Sequence, residues 1–116
     1  MSIERYEPNQ RMSQAVVHGG VVHLAGQVAA EVQGVSAQTE AVLAKIDRLL
    51  AEAGSSKSQL LSALIVLADI ADFDAMNAVW EAWIDRANPP ARATIGAALA
   101  LPEFRVEIIV TAAVAG

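Results

Sequence analysis

The sequence predicts an α+β fold in which two helices pack on one face of a single mixed β-sheet. Three observations predict it: β-branched runs near both ends of the chain, two inner segments with apolar residues at helical spacing, and one continuous apolar run between those segments. The predicted element order is β-β-β-α-β-α-β-β. A chain of 116 residues suits one domain, which we assign to residues 1–116.

Three short strands are predicted before the first helix. Residues 3–7, IERYE, form an edge strand, and MSQAVVHGGVVHLAGQV contains two strands joined at Gly19-Gly20. A Gly-Gly pair between β-branched runs is typical of a tight hairpin, because such turns need positive φ angles. Gly26-Gln27 then interrupts or bulges the third strand.

The inner part of the chain predicts helix, strand and helix. Residues 36–53 form an amphipathic helix with Ser36 as its start cap and Gly54 as its left-handed end cap. LLSALIVLAD is a strand-length apolar run and predicts a strand covered on both faces. Asp72 caps the second helix, FDAMNAVWEAWIDR, and the apolar stripe of that helix contains Phe73, Met76, Trp80 and Trp83.

The last two strands, at residues 92–99 and 105–114, indicate an oligomer. In the final strand Val106, Ile108, Val110 and Ala112 share one face, and Ile109, Thr111 and Ala113 share the other with Glu107. Two helices cover only one face of the sheet, so we expect another chain to cover the second face. The 54% of hydrophobic residues fits a chain that buries an interface.

Composition argues against several function classes. The net charge is −5, and Lys and Arg are spread singly, so no basic stripe suits a nucleic-acid backbone. No apolar run is long enough to span a membrane, and the charged N-terminus lacks a signal core, so we expect a cytoplasmic protein. The chain has no cysteine, and His18 and His23 lack metal-ligand spacing, so we expect no metal site.

Three segments carry a resemblance to a known family. VVHLAGQV, DFDAMNAVWEAW and PPARATIGAALALPEFRVEI occur in this order and resemble motifs of the Rid (YjgF-type) family of reactive-intermediate deaminases. The resemblance implies a chorismate-mutase-like fold and a homotrimer with its sheets facing inward and clefts between subunits. It also implies hydrolysis of small enamines and imines, such as 2-aminoacrylate, to 2-keto acids and ammonia without a cofactor.

The resemblance also implies site residues. Arg92 matches the arginine that binds the substrate carboxylate, and Glu107 matches the glutamate that helps to hold the hydrolytic water. Thr94 stands where many members have a cysteine that lines the cleft. Asn77 matches a helix asparagine near the site, although bonding to a loop backbone is the alternative that we favour for it.

Other positions line the expected cleft or depart from the family pattern. His18 and Gly26 are candidates for the cleft lining, together with Ala25, where many members carry serine. Many members also carry Gly-Pro-Tyr where this chain has Arg11-Met12-Ser13. These differences remove hydroxyl groups from the expected site and leave the carboxylate-binding arginine in place.

The residue chemistry itself leaves two alternatives open. Arginine suits a carboxylate because its planar fork meets both oxygens, and glutamate can orient or deprotonate water. The protein is then an enamine or imine deaminase, or a non-catalytic binder or sensor of small carboxylate metabolites that uses the same arginine. In a purely structural interpretation, Arg92 and Glu107 form an ion pair within or between subunits.

Overall fold

The computed structural model describes residues 2–114, so residues 1 and 115–116 of the predicted domain lie outside the described part. The elements are β1 (Glu4–Tyr6), β2 (Ala15–His18), β3 (Val21–Leu24), α1 (Val35–Glu52), β4 (Leu60–Leu67), α2 (Phe73–Trp83), β5 (Ala91–Gly96) and β6 (Val106–Ala113), with single 3₁₀ turns before β4 and α2. The six strands form one sheet in the order β1-β2-β3-β6-β4-β5. β4 and β5 run parallel, and the other neighbouring strands run antiparallel. The predicted fold class and element order are confirmed.

The core lies between the two helices and one face of the sheet. The side chains of α1 that point into it are Val42, Leu43, Ile46, Leu49 and Leu50, and α2 adds Met76 and Trp80. From β6, the core receives Val106, Ile108, Val110 and Ala112. Full burial of each large aliphatic side chain contributes about 1.5–3 kcal/mol, so this shared face dominates the stability of the fold.

The second face of the sheet is left open by the described residues. In β6, Glu107, Ile109, Thr111 and Ala113 point to that face and are only half-buried. The alternation predicted for this strand is therefore confirmed. In β4, Leu61, beside a bulge, is exposed in the single chain, so the covering of both faces predicted for this strand depends on a second chain.

Of the three predicted helix caps, Gly54 is confirmed, Ser36 is wrong, and Asp72 holds the cap position without a capping side-chain bond. Gly54 has a φ of 81° and follows α1 in the left-handed conformation. At the other end, α1 begins directly after Gly34, so Ser36 lies inside the first turn and cannot act as its cap. Asp72 does precede α2, but its carboxylate accepts a hydrogen bond from Arg105 at 2.9 Å instead of capping the backbone. A charged donor is the stronger partner for this carboxylate.

A buried glutamine ties the loops of one sheet end to α1. Gln38 is 2% exposed, and its Nε2 donates to the carbonyl oxygens of Val32 and Glu103 at 3.1 and 2.9 Å. Its Oε1 accepts from the Arg105 amide at 2.7 Å. The bonds to Glu103 and Arg105 fix the chain just before β6, and so they fix the position of Glu107 two residues after Arg105.

Replacing Gln38 by alanine should lower the free energy of unfolding by roughly 1–3 kcal/mol, because it leaves three partly buried backbone groups without their partner. Urea denaturation measures this change. Glu40→Ala, on the exposed face of the same helix, is the control and should change stability by less than about 0.5 kcal/mol. Equal effects of the two substitutions would contradict the role assigned to Gln38.

Candidate functional site

Arg92 lies on β5, at one edge of the sheet, and points to the helix face. Its neighbour in β4 is Ala63, which is buried beneath the helices. The Arg92 guanidinium is held by α2 in three ways: Nη1 donates to Asn77 Oδ1 at 2.7 Å, and Cζ lies 5.9 Å from the ring centroid of Phe73 and 5.5 Å from that of Trp80. The side chain of Asn77 therefore bonds to Arg92. The favoured alternative, a bond from Asn77 to a loop backbone, is wrong.

These contacts orient the guanidinium without neutralising it. Stacking on aromatic rings attracts a cation and restrains its plane, and an amide oxygen takes one of its five N–H donors. Within residues 2–114, Arg92 forms no ion pair with a carboxylate. The remaining donors can bind both oxygens of an external carboxylate.

Glu107 lies on β6 and points to the open face of the sheet. Its side chain rests against Gly26, since a Cβ atom at Gly26 would overlap with the Glu107 carboxylate. The adjacent backbone is fixed by a two-way pairing: the Gln27 amide donates to the Ile108 carbonyl at 3.0 Å, and the Ile108 amide donates to the Gln27 carbonyl at 3.2 Å. The interruption of the third strand thus serves to bring a residue without a side chain against Glu107.

Arg92 and Glu107 lie on opposite faces of the sheet. Arg92 pairs with Ala63 of β4, and Glu107 pairs with Val66 of the same strand. Residues three apart on a strand point to opposite faces. The interpretation in which Arg92 and Glu107 form an ion pair within one chain is therefore wrong. One chain alone does not bring the two side chains together.

The remaining candidates are divided between the two faces. Thr94 is next to Ile65 of β4, on the Arg92 face, and its Oγ1 is buried without a hydrogen-bond partner in the described part of the chain. Ala25 precedes Gly26 on the Glu107 side, and its amide donates to the Gln14 carbonyl at 2.9 Å.

His18 is exposed at the end of β2. Through Val21 it aligns with Ala113, at the opposite end of β6 from Glu107. Six residues of strand correspond to roughly 20 Å, so one chain does not bring His18 to Glu107.

Two concave surfaces of the single chain lie away from these residues. A pocket of about 280 Å³ is lined by Ala30, Val32, Gln33, Gly34, Gln38, Pro102, Glu103 and Arg105. A groove of about 440 Å³ between the helices is lined by Glu40, Leu43, Lys57, Ala78, Val79, Ala82 and Trp83. Neither is lined by Arg92 or Glu107. Among residues 2–114, no cluster of His, Asp and Glu suits a metal ion, and no helix is long and apolar enough to cross a membrane.

Sequence reasoning missed the aromatic support of Arg92. Phe73 and Trp80 were assigned to the apolar stripe of α2 only. The signal is their spacing around Asn77: positions i, i+4 and i+7 lie along one side of a helix, so all three residues can meet one partner. That partner is the guanidinium of the neighbouring strand.

Thr94→Val should raise the free energy of unfolding by about 1 kcal/mol, because it removes a buried hydroxyl that has no partner and keeps the shape of the side chain. Thr111→Val is the matched control. Its hydroxyl lies 2.6 Å from Ser62 Oγ in a hydrogen bond, so the same substitution there should lower stability. Urea denaturation distinguishes the two, and a loss of stability in both would mean that Thr94 Oγ1 is bonded in the assembled protein.

Known proteins match this chain along nearly its whole length. A family model described as endoribonuclease L-PSP matches residues 2–114. A RutC family protein of Haemophilus influenzae is 43% identical over 114 residues, covering 97% of this chain and 98% of the relative. The RutC family protein YoaB of Escherichia coli strain K12 is 40% identical over 114 residues, covering 98% of this chain and 100% of the relative.

A solved structure agrees with these sequence matches. The crystal structure of a YjgF-family protein from Neisseria meningitidis has a TM-score of 0.98 and 44% sequence identity, covering 100% of this chain and 98% of that chain. The matched residues include both Arg92 and Glu107. The resemblance stated from the three segments is thus confirmed, and the chain belongs to the YjgF/RutC-type (endoribonuclease L-PSP) family.

Proposed function

We propose that the protein hydrolyses small 2-imino acids, the tautomers of enamines such as 2-aminoacrylate, to 2-keto acids and ammonia. The observation that supports this most strongly is that the Arg92 guanidinium is oriented by neighbouring side chains but has no carboxylate partner among the described residues. Asn77 and two aromatic rings orient its guanidinium, and no described carboxylate occupies it. A cation held in this way suits the carboxylate that every 2-imino acid carries.

The proposed site lies between subunits of a homotrimer. A ligand that touches both Arg92 and Glu107 requires two chains, because the two residues point to opposite faces of their own sheet. The open face also carries apolar side chains that another sheet can cover, among them Ile109, Leu64 and Ile95, the last of which is 47% exposed. The trimer itself is the assembly that the family resemblance implies.

The chemistry needs few groups. Water adds to the imine carbon, which forms a C–O bond, and the nitrogen takes up protons as the C–N bond breaks. The products are a 2-keto acid and ammonia, so atoms balance with water as the only co-reactant. We assign to Glu107 the orientation of this water and the relay of its proton to the nitrogen. Imines also hydrolyse unaided in water, so positioning supplies most of what the protein must add.

A non-catalytic binder of small carboxylates is the second candidate. Ala25, which precedes Gly26, favours it, because the hydroxyl that many family members carry at this position is absent. Cleavage of RNA, which the name of the family model suggests, is disfavoured by the net charge of −5 and by cationic side chains that are spread singly. A cytoplasmic location remains part of the proposal.

Arg92→Ala should lower kcat/KM for hydrolysis of 2-aminoacrylate generated in situ by about 100-fold, because it removes a bidentate, charge-assisted interaction. Formation of pyruvate measures the rate. Arg86→Ala, at the C-terminal side of α2, is the control and should behave as wild type. If the wild type gives no acceleration, yet binds pyruvate in a manner that Arg92→Ala abolishes, the protein is a binder and not a deaminase.

Glu107→Gln should lower kcat by about 100-fold while pyruvate affinity changes little, because general base catalysis is lost and the carboxylate anchor remains. Gly26→Ala should act in the same direction, since the new methyl group displaces the Glu107 carboxylate. Sedimentation should give a trimer for the wild type and both variants. Unchanged turnover in Glu107→Gln would remove this residue from the mechanism, and a monomeric wild type would remove the intersubunit site.

A further inference from the structure

Two large apolar side chains stand exposed beside Arg92. Phe73, the first residue of α2, is 40% exposed, and Ile70, in the 3₁₀ turn before it, is 53% exposed. Single exposed apolar residues are common on protein surfaces. These two are close in sequence, and one of them has its ring 5.9 Å from the ligand-binding cation.

Both residues lie along the same face of β5. Every second residue of β5 belongs to this face, namely Arg92, Thr94 and Gly96. At the Arg92 end, α2 covers the face through Asn77 and Phe73. At the other end, a Cβ atom on Gly96 would lie 3.2 Å from the Cβ of Ile70, so Ile70 sits directly over the strand end. An apolar strip of Phe73 and Ile70 therefore runs from the guanidinium along about 13 Å of strand.

The exposure of Phe73 separates its role from that of Trp80. Trp80 is 6% exposed and supports the guanidinium from the core side. A ring that only supported Arg92 would be expected to be covered in the same way. Phe73 instead presents much of its surface outward, beside the place where a bound carboxylate has to lie.

We propose that Phe73 and Ile70 form the subsite for the substrate side chain, so that the site prefers 2-imino and 2-keto acids with a branched aliphatic side chain of leucine size over those with a methyl group. This inference rests on the proposed carboxylate site at Arg92. With the carboxylate on the guanidinium, the substituent of the next carbon can lie against the Phe73 ring, and apolar contact there favours the larger side chain.

Calorimetry with 2-keto acids tests the subsite without requiring turnover. Wild type should bind 4-methyl-2-oxopentanoate about 10-fold more tightly than pyruvate, within the range found for added methylene groups in apolar pockets. Phe73→Ala should abolish this preference, and because its ring also stacks on Arg92 it should weaken pyruvate binding as well. Ile70→Ala should reduce the preference and leave pyruvate affinity within about twofold, because Ile70 lies over the far end of the strand at Gly96. Phe73→Leu should keep part of the preference, and Ile70→Ala, at a more exposed position, provides a second variant. Ile3→Ala, an equally exposed apolar residue near the opposite edge of the sheet, is the control and should keep the full preference.

Measuring turnover of the imines of leucine and alanine then distinguishes the proposed side-chain subsite from the proposed hydrolase function. The ratio of their kcat/KM values should fall in Phe73→Ala and Ile70→Ala, whereas Arg92→Ala should lower both values together. If no imine is hydrolysed but the keto-acid preference exists and depends on Phe73, the subsite stands and the hydrolase proposal fails.

Three results would overturn the subsite. The first is a wild type with no preference for the larger keto acid. The second is a preference that survives in both Phe73→Ala and Ile70→Ala. The third is a Phe73→Ala variant that sediments as a smaller species or loses both ligands equally, because Phe73 would then be an interface residue or only a support for Arg92.

Discussion

The pairing register of β4 with its two neighbours is the constraint on which the rest of this structure depends. β4 pairs with β5 on one side and with β6 on the other, so its register decides the face to which Arg92 and Glu107 each point. A slip of one residue would move every side chain of a strand to the opposite face. The fully buried row formed by Ile65 with Ile108 prevents such a slip, because it would expose that row to water. Hydrophobic burial in the core thereby sets the directions of the polar groups at the surface.

Local contacts then hold the two charged groups in different ways. Arg92 is held by side chains, through an amide and two aromatic rings of α2. Glu107 is held by backbone, because Gly26 allows close approach and Gln27 pairs with the residue beside it. Farther out, Gln38 secures the loop that leads into β6. Both groups lie on strands, and packing and strand pairing restrain them more than a loop would.

Much of the fold could be predicted because its strongest signals are local. The alternation in β6, the apolar stripe of α1 and the Gly-Gly hairpin each follow from a few neighbouring residues. The cap assigned to Ser36 failed for a local reason, and the capping bond assigned to Asp72 failed for a non-local one. Gly34, with its positive φ, is the residue directly after which α1 begins. The carboxylate of Asp72 accepts a hydrogen bond from Arg105, 33 residues along the chain.

The candidate site was predictable in its residues but not in its geometry. Family motifs identify Arg92 and Glu107, yet their placement on opposite faces depends on which strands are neighbours and in what register. Neither quantity can be read from the spacing of the two residues along the chain. The bond from Arg92 to Asn77 was missed for a similar reason, since it joins a strand to a helix that precedes it.

The separation of Arg92 from Glu107 across the sheet also has a genetic consequence. In the proposed trimer each chain gives its arginine to one cleft and its glutamate to another. A chain in which one of these residues is substituted inactivates one cleft, and a chain in which both are substituted inactivates two. In a cell that expresses two alleles, the variant with both substitutions would therefore be the more dominant, and two alleles with different single substitutions could complement each other.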